Sequence, residues 1–303
     1  MIAAWRAPAA SGRFTMATIW QFRLPLPMTT FDPALEREYN NRALVPEHPA
    51  IFEKWRTDSA AFRACADAEL DIAFGDDALQ RLDLFPAKNA RGTVVFIHGG
   101  YWRSLDKSDF SFVAALFVAN GISVAMINYR LCPAVAVADV VDDCQSACMW
   151  LIDNGPAHHM PVERIALTGH SAGGHLVSML FATDWHARGI DAKCIVGGAA
   201  LSGVFDLAPL LRCSMNDDLG LDTASARALS PIQLVSQIDA PLYLAAGGDE
   251  SAAFIEQTRQ LHRAWPANCA VAEIVASRNH FTIVGELART ECKAFHVVRK
   301  LFD

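Results

Sequence analysis

Long runs of lysine or arginine are missing from this sequence, and charged residues of both signs make up only 19% of it. The formal net charge is −7. Proteins that follow a nucleic-acid backbone or an anionic membrane surface present a clustered basic patch. No apolar stretch is long and uninterrupted enough to span a bilayer. We therefore expect a soluble protein that has neither nucleic acid nor membrane among its partners.

Cysteine patterns typical of metal sites are missing as well. The eight cysteines include no C-x-x-C pair, and none is spaced from histidine in a way that would close a tetrahedral zinc site. Most of them lie among apolar residues, as buried reduced thiols do. Reduced thiols are typical of a cytoplasmic protein. We expect no metal, no other cofactor and a cytoplasmic location.

The beginning of the chain lacks the features of a targeting segment. Its apolar stretches are too short and interrupted for a membrane span or a clear secretory signal. We expect residues 1–27 to be a disordered leader, although Met16 and Met28 leave the true start methionine open. Residues 28–303 are expected to form a single domain, because α/β sheets of this size often stay undivided. A hydrophobic content of 52% allows a large core.

From about residue 90 onwards, short apolar runs alternate with helical patterns. The first two runs, GTVVFIH and ISVAMINY, are apolar on both faces, as parallel strands covered by helices are. The later runs read RIALTG, CIVGGAALSG, PLYLAAGG and AVAEIVA. This alternation predicts an α/β fold with a mostly parallel, doubly wound sheet and helices on both faces. Before it, LDIAFG and LQRLDLF predict a hairpin at a sheet edge. Residues 31–66 and 204–238 are expected to form a small cap above the strand ends.

The segment GHSAG, residues 169–173, places Ser171 between small residues where a strand gives way to a helix. A tight turn of this kind strains the backbone of its central residue, and its neighbours must be small enough for strand and helix to pass closely. The pattern predicts a nucleophile elbow that presents the Ser171 hydroxyl above the sheet. The alternative is a glycine-rich turn with an idle serine.

A serine hydroxyl is a poor nucleophile until a base takes its proton, and the base needs an acid to orient it. His280, in the loop SRNHF after the last apolar run, is the predicted base, whereas His262 and His296 lie within helical patterns. Asp249 follows PLYLAAGG and is the predicted acid. Two alternatives stay open: Asp249 is only a helix N-cap, or its neighbour Glu250 is the acid.

The segment HGGYW, residues 98–102, follows the first strand of the alternating region. Acyl transfer needs backbone N–H groups that stabilise the oxyanion formed during attack. We expect Gly100 and Tyr101 to donate two of them and Ala172, after the serine, to donate the third. His98 is expected to hold this loop by hydrogen bonding. The alternative is a glycine turn without a catalytic role.

Together, HGGYW, GHSAGGH, GGDES and NHF resemble motifs of the α/β-hydrolase superfamily, on its hormone-sensitive-lipase-like branch. Within that branch they resemble kynurenine formamidase (arylformamidase) and related bacterial esterases. The likeness extends from about residue 39 to the C-terminus and includes YNNRALVPEHP and LSGVFDL. It implies the α/β-hydrolase fold, Ser171, Asp249 and His280 as the catalytic triad, and Gly100, Tyr101 and Ala172 as the oxyanion hole. It implies no metal.

The resemblance implies a serine hydrolase that cleaves an aryl formamide such as N-formylkynurenine to formate and the free amine. A small-acyl carboxylesterase and a catalytically silent binding module are the alternatives. Trp102 is expected to contact substrate, although its ring and that of Tyr101 would face inwards if they only pack the loop. A substrate carboxylate could be bound by an arginine, and Arg103, Arg130 and Arg212 are candidates among which the sequence does not choose. A homodimer also stays open.

Overall fold

An eight-stranded sheet forms the centre of the computed structural model, which describes residues 30–303. The predicted leader, residues 1–27, lies outside the described residues. Residues 31–303 form one compact unit. The strands, in chain order, are β1 (Glu69–Ala73), β2 (Arg81–Phe85), β3 (Thr93–Ile97), β4 (Ser123–Ile127), β5 (Ile165–His170), β6 (Ile195–Leu201), β7 (Leu242–Gly247) and β8 (Ala272–Val275).

The strands lie in the order β1-β2-β4-β3-β5-β6-β7-β8. β1 and β2 form an antiparallel pair at one edge, and β2 is antiparallel to β4. All pairs from β4 to β8 are parallel. The predicted edge hairpin and the mostly parallel sheet are therefore confirmed. Chain order reverses between β3 and β5, and ligands of open α/β sheets bind beyond the strand ends at such a reversal.

Ten α-helices surround the sheet in the described part of the chain. They are α1 (Pro33–Tyr39), α2 (Asn41–Leu44), α3 (His48–Cys65), α4 (Phe112–Ala119), α5 (Val137–Asn154), α6 (Ala172–Phe181), α7 (Asn216–Leu219), α8 (Thr223–Ala228), α9 (Ala252–Ala264) and α10 (Lys293–Lys300). Short 3₁₀ turns occupy Lys107–Phe110, Gly155–His158, His186–Arg188, Ala192–Cys194, Ala208–Arg212, Pro231–Gln233 and Thr282–Leu287.

Two cores pack against the two faces of the sheet, because successive side chains of a strand point to opposite sides. On β3, Val95 and Ile97 face a core that includes residues of α5, α6 and α9. Val94 and Phe96 face the other core, which includes residues of α3, α4 and α10. Helices therefore cover both faces, as predicted. Among residues 30–303, no helix combines the length and apolar character needed to cross a bilayer.

The N-terminal arm, residues 31–66, contacts the irregular segment 204–238 directly. Glu36 of α1 accepts hydrogen bonds from the backbone N–H and the hydroxyl of Ser214, both at 2.9 Å. Tyr39, at the end of α1, accepts a hydrogen bond on its hydroxyl from Gln257 of α9 at 2.9 Å. The arm is thereby attached to two other parts of the molecule near the ends of the parallel strands.

Candidate active site

Ser171 lies at the sharp turn between β5 and α6, with φ 57° and ψ −120°. This is the strained geometry expected of a nucleophile elbow. A Cβ placed on Gly173 would lie 1.9 Å from the carbonyl oxygen of Ile97 on β3. Only glycine therefore lets the first turn of α6 pass so close to the neighbouring strand. The sequence prediction of a tight strand-to-helix turn at Ser171 agrees with this geometry.

His280 lies in the loop after β8, and its Nε2 is 2.9 Å from the Oγ of Ser171. The two residues are 109 positions apart in the chain and each is only 3% exposed. The imidazole packs edge-on against the ring of Phe254, whose centroid lies 4.6 Å away. Burial and this ring contact hold the imidazole in one orientation, within hydrogen-bond reach of the hydroxyl.

The carboxylate that meets His280 is that of Glu250, whose Oε2 lies 2.7 Å from Nδ1. The side chain of Glu250 is fully buried. Its Oε1 accepts hydrogen bonds from the backbone N–H of Gly247 at 2.6 Å and from the hydroxyl of Ser202. Three donors therefore compensate the burial of this carboxylate.

The structure does not bring Asp249, the predicted acid, to His280; the carboxylate of the alternative, Glu250, lies there instead. Asp249 is exposed in the turn after β7, where its backbone N–H donates to the carbonyl of Arg278 at 3.0 Å. The backbone N–H of Glu250 donates to the carbonyl of Gly247. This contact closes the turn, so that the carboxyl group of Glu250 returns to the N–H of Gly247 while Asp249 remains at the surface.

His170, directly before the serine, is a residue that the sequence reasoning did not assign. Its ring is buried, and its Nε2 donates a hydrogen bond to the backbone carbonyl of His280 at 2.7 Å. Burial, together with the nearby His280, lowers the pKa of His170 to about 3. His170 is therefore neutral and ties the elbow to the loop of the base. The only sequence feature that could have indicated this role of His170 is its position within GHSAG.

The loop after β3 runs beside the serine. Gly100 has φ 114°, and a Cβ at this position would lie 2.0 Å from the carbonyl oxygen of Ser104, so the loop requires glycine here. Within residues 30–303, the backbone N–H groups of Gly100, Tyr101 and Ala172 donate to no protein acceptor. These are the three groups that the sequence predicted as oxyanion donors.

His98 and Asn128 hold the start of this loop. Nε2 of His98 lies 2.9 Å from Oδ1 of Asn128, and its Nδ1 lies 2.7 Å from the carbonyl oxygen of Gly99. Burial lowers the pKa of His98. The expected structural role of His98 agrees with these contacts.

Tyr101 and Trp102 point in different directions. The Tyr101 side chain lines the pocket at Ser171, and its hydroxyl donates to the backbone carbonyl of Tyr39 at 2.7 Å. The structure does not place Trp102, the residue predicted to contact substrate, in the pocket lining: its indole is fully buried and packs edge-on against His175 at 4.9 Å. A bulky residue thus fills the core beneath the loop at this position.

The pocket in front of Ser171 is narrow, with a cavity volume of about 70 Å³. A single water needs roughly 10–15 Å³ on this scale, so the cavity suits a small or planar group. One wall is aromatic: Phe52 stacks on Trp55 at 4.9 Å and meets Phe281 edge-on at 5.0 Å. The arm therefore supplies much of this wall through α3.

The rim of the pocket is charged. Arg42, Glu36 and Arg103 lie there together with Ser214 and Met215 from the segment 204–238. Arg103 forms an ion pair with Asp218. No group of three or more histidine, cysteine or carboxylate side chains among residues 30–303 has an arrangement suited to holding a metal ion.

Of the three arginines proposed from the sequence for a substrate carboxylate, only Arg103 lies at the pocket. Arg130 forms a two-pronged ion pair with Asp143, with its Nη2 2.7 Å and its Nε 2.9 Å from the two carboxylate oxygens. Arg212 pairs with Asp32 at 2.9 Å. Arg42, which the sequence analysis did not consider, is at the pocket instead.

Comparisons with known proteins agree with this architecture. The BD-FAE family model matches residues 82–202. Kynurenine formamidase from Salmo salar is 27% identical over 236 residues, which cover 74% of this chain and 79% of that protein. Kynurenine formamidase from Danio rerio is 27% identical over 235 residues, which cover 74% of this chain and 78% of that protein.

Solved structures of a putative thioesterase and an esterase are similar to this chain. A putative thioesterase from Silicibacter sp. TM1040 has a TM-score of 0.79 and 32% identity, and the match covers 87% of this chain and 98% of that one. Esterase B from Lactobacillus rhamnosis has a TM-score of 0.63 at 21% identity, covering 85% and 92%, and shows the shared fold. The chain belongs to the α/β-hydrolase superfamily, as a hydrolase of the hormone-sensitive-lipase-like branch that resembles kynurenine formamidase.

Proposed function

We propose that this hydrolase cleaves an aryl formamide such as N-formylkynurenine to formate and the free amine, through an acyl-enzyme on Ser171. The observation that carries the proposal is the continuous hydrogen-bonded chain from the Oγ of Ser171 through the imidazole of His280 to the carboxylate of Glu250. The kynurenine formamidases among its relatives support the choice of substrate.

In the first step, the Oγ of Ser171 attacks the formyl carbon while Nε2 of His280 takes the hydroxyl proton. Glu250 accepts the hydrogen bond from Nδ1–H and thereby fixes the tautomer in which Nε2 is free to act as the base. As the imidazole becomes positively charged, the buried carboxylate 2.7 Å away stabilises it. The triad of this chain is therefore Ser-His-Glu.

The negative charge that develops on the formyl oxygen is stabilised by backbone donors. The N–H groups of Gly100, Tyr101 and Ala172 lie beside the elbow and donate to no protein group within the described residues. Loss of one such donor typically lowers kcat by about 10²–10³-fold. Their availability supports their assignment as the oxyanion hole.

The tetrahedral intermediate then collapses: His280 gives its proton to the amine nitrogen as the C–N bond breaks, which releases the free amine and leaves a formyl group on Ser171. In the second half of the cycle, His280 activates a water molecule by taking one of its protons. That water attacks the formyl-enzyme, and formate leaves with the serine restored. The small formyl group suits the confined cavity in front of Ser171, whose volume is about 70 Å³. The planar aryl group of the amine fits the aromatic wall of Phe52, Trp55 and Phe281.

We infer that residues 31–66 and 204–238 act as the specificity cap. The arm contributes Phe52 and Trp55 to the pocket wall, and the second segment contributes Ser214 and Met215 to the rim. Loops beyond the strand ends commonly set specificity in such sheets. Exchange of these side chains is therefore expected to change the substrate preference more than the rate of the chemical step.

A small-acyl carboxylesterase is the second candidate. The same serine, imidazole and backbone donors would attack an ester carbonyl, and esterases share the fold. The narrow cavity restricts the acyl group in this case too. The two activities differ in the leaving group rather than in the nucleophilic chemistry.

A direct comparison of substrates tests the proposal. We expect kcat/KM for N-formylkynurenine to exceed that for p-nitrophenyl acetate by orders of magnitude, and Ser171→Ala to remove both activities. A preference for the ester would select the carboxylesterase. Undiminished turnover by Ser171→Ala would remove the serine from the mechanism. A failure of Ser171 to react with a fluorophosphonate probe, together with no turnover of either substrate, would favour a binding module.

A further inference from the structure

Arg42 lies on α2 at the mouth of the pocket that contains Ser171. Its guanidinium carbon is 5.8 Å from the centre of the Phe52 ring, and its Nη2 donates to the Oγ of Ser104 at 3.2 Å. These two contacts hold the side chain over the aromatic wall, although the residue itself is exposed. Arg42 has five N–H donors, and within residues 30–303 the Ser104 hydroxyl is the one protein acceptor that they reach, so most of the donors are available to a ligand.

The ionic surroundings of Arg42 differ from those of its neighbour at the rim. Arg103 is paired with Asp218, whereas Arg42 forms no ion pair with any carboxylate among residues 30–303. The rim carboxylate, Glu36, accepts hydrogen bonds from Asn40 and Ser214 and does not contact Arg42. Arg42 is therefore a cation at a substrate pocket whose counter-ion the described protein does not supply.

We propose that Arg42 is the carboxylate-binding subsite of this pocket, and that the enzyme prefers aryl formamides whose aryl group carries a side chain ending in a carboxylate. The inference rests on the proposed formamidase function. A guanidinium binds a carboxylate through two parallel hydrogen bonds, which fixes orientation as well as affinity. The Ser104 hydroxyl beside it helps to hold the guanidinium in place.

The surroundings favour a single negative charge over a phosphate or a dicarboxylate. Glu36 lies at the same rim, and its carboxylate would repel any further negative charge on the ligand beyond the one that Arg42 binds. N-formylkynurenine meets the requirement, because its aromatic ring carries an amino-acid side chain. Its ring would lie on the aromatic wall while the carboxylate reaches Arg42.

The decisive experiment compares two substrates with the same scissile bond. N-formylkynurenine carries the carboxylate, whereas 2-formamidoacetophenone keeps the ring, the ketone and the formamide without it. We expect the wild type to have a KM at least about tenfold lower for the first. In Arg42→Gln, the ratio of kcat/KM between the two substrates should fall about tenfold, mainly through KM, and Arg42→Lys should retain part of it.

Arg56→Gln is the matched control, since Arg56 is an exposed arginine of α3 that pairs with Glu53 away from the pocket. It should leave the substrate ratio unchanged. A ratio in Arg42→Gln equal to that of the wild type would overturn the proposal. In the wild type, the preference for the carboxylate should also weaken as salt is raised, because an exposed ion contact is screened; a salt-independent preference would count against it.

Failure of the formamidase function can be separated from failure of the subsite. If the wild type cleaves neither formamide, the proposed function fails, and the subsite is measured by inhibition of p-nitrophenyl acetate hydrolysis. Kynurenine should then inhibit the wild type at least about fivefold more strongly than its carboxamide, and Arg42→Gln should abolish the difference. Equal inhibition by both compounds would overturn the subsite independently of the formamidase assay.

Discussion

The Oε2 atom of Glu250 lies 2.7 Å from Nδ1 of His280, while the adjacent carboxylate of Asp249 is exposed to solvent. Both acids follow the same strand, so their contrast is set by the turn alone. The buried carboxylate has three hydrogen-bond donors, and one of them is the proposed catalytic base. Substitution of Glu250 is therefore expected to impair catalysis, whereas substitution of Asp249 is not.

Glu250→Gln should lower kcat for p-nitrophenyl acetate by about 10³–10⁴-fold, because the amide leaves the imidazole without its charge partner and disturbs its tautomer. Steady-state kinetics with the purified variant measure the loss. Asp249→Asn is the matched control and should stay within about twofold of the wild type. The reverse pattern, with Asp249→Asn inactive, would restore Asp249 as the acid.

Ser202 is expected to position Glu250 rather than to touch substrate. Its hydroxyl donates to Oε1 of Glu250, and its backbone has φ 49°. Ser202→Gly removes the hydroxyl without backbone strain and should lower kcat about tenfold, since a buried hydrogen bond to a charged group is worth roughly 1.5–3 kcal/mol. KM should change little. A variant with unchanged kcat would show that Gly247 and His280 suffice to hold the carboxylate.

Trp102→Phe should reduce stability and leave acyl-chain preference unchanged. The indole is fully buried against His175, so its truncation leaves a gap in the core that costs about 1–3 kcal/mol. Urea unfolding measures the stability, and rates on p-nitrophenyl acetate, butyrate and octanoate measure the preference. A shift of preference towards octanoate would mean that the indole limits the acyl pocket after all.

Gly173→Ala should prevent stable folding or cost about 3 kcal/mol or more. The added methyl carbon would lie 1.9 Å from the carbonyl oxygen of Ile97, a backbone atom that cannot move without shifting β3. Gly189→Ala is a suitable comparison, because its φ of 79° strains alanine but no atom lies within 4 Å; we expect a cost of about 1 kcal/mol there. Thermal unfolding measures both losses. An equal fall in Tm for the two variants would contradict the conclusion that the close approach of Gly173 to Ile97 excludes a side chain.

The free energy of unfolding should fall as the pH drops from about 6.5 to 4, partly because of His175. Burial lowers the pKa of His175 to about 4, whereas an unfolded histidine titrates near 6.5. In that window the unfolded chain binds a proton that the native state rejects, so the stability present above pH 6.5 is progressively lost. His175→Gln should reduce the slope by roughly 1.4 kcal/mol per pH unit. If the free energy of unfolding depends on pH in the same way in the wild type and in His175→Gln, His175 does not take up a proton on unfolding.

The sheet was predictable from the sequence because most of the parallel strands are apolar on both faces and end at a glycine or polar turn; β8, with Glu273, is the exception. The segment GHSAG, residues 169–173, predicted the position of the elbow for the same local reason: Gly173 permits a crossing that no other residue allows. Strand ends also predicted which loops meet, and hence the contact between Ser171 and His280.

The choice between Asp249 and Glu250 was not predictable, because it depends on a turn that directs one of two adjacent carboxylates inwards. The direction of the Trp102 side chain was not predictable for a related reason. The loop at Tyr101 and Trp102 has positive φ at both residues, 51° and 56°, so the two side chains do not alternate as in a strand. Arg42 could be identified as a pocket residue only once the structure placed α2 beside the pocket.

Tyr39 connects the arm to two separate parts of the site. Its backbone carbonyl accepts from Tyr101 and its hydroxyl from Gln257, while its ring lies 5.6 Å from Phe254, which in turn packs against His280. Laboratory evolution of new substrate ranges should therefore randomise arm positions such as Phe52 and Trp55 and keep Tyr39 constant. A library that includes Tyr39 would accumulate inactive clones for reasons unrelated to ligand fit.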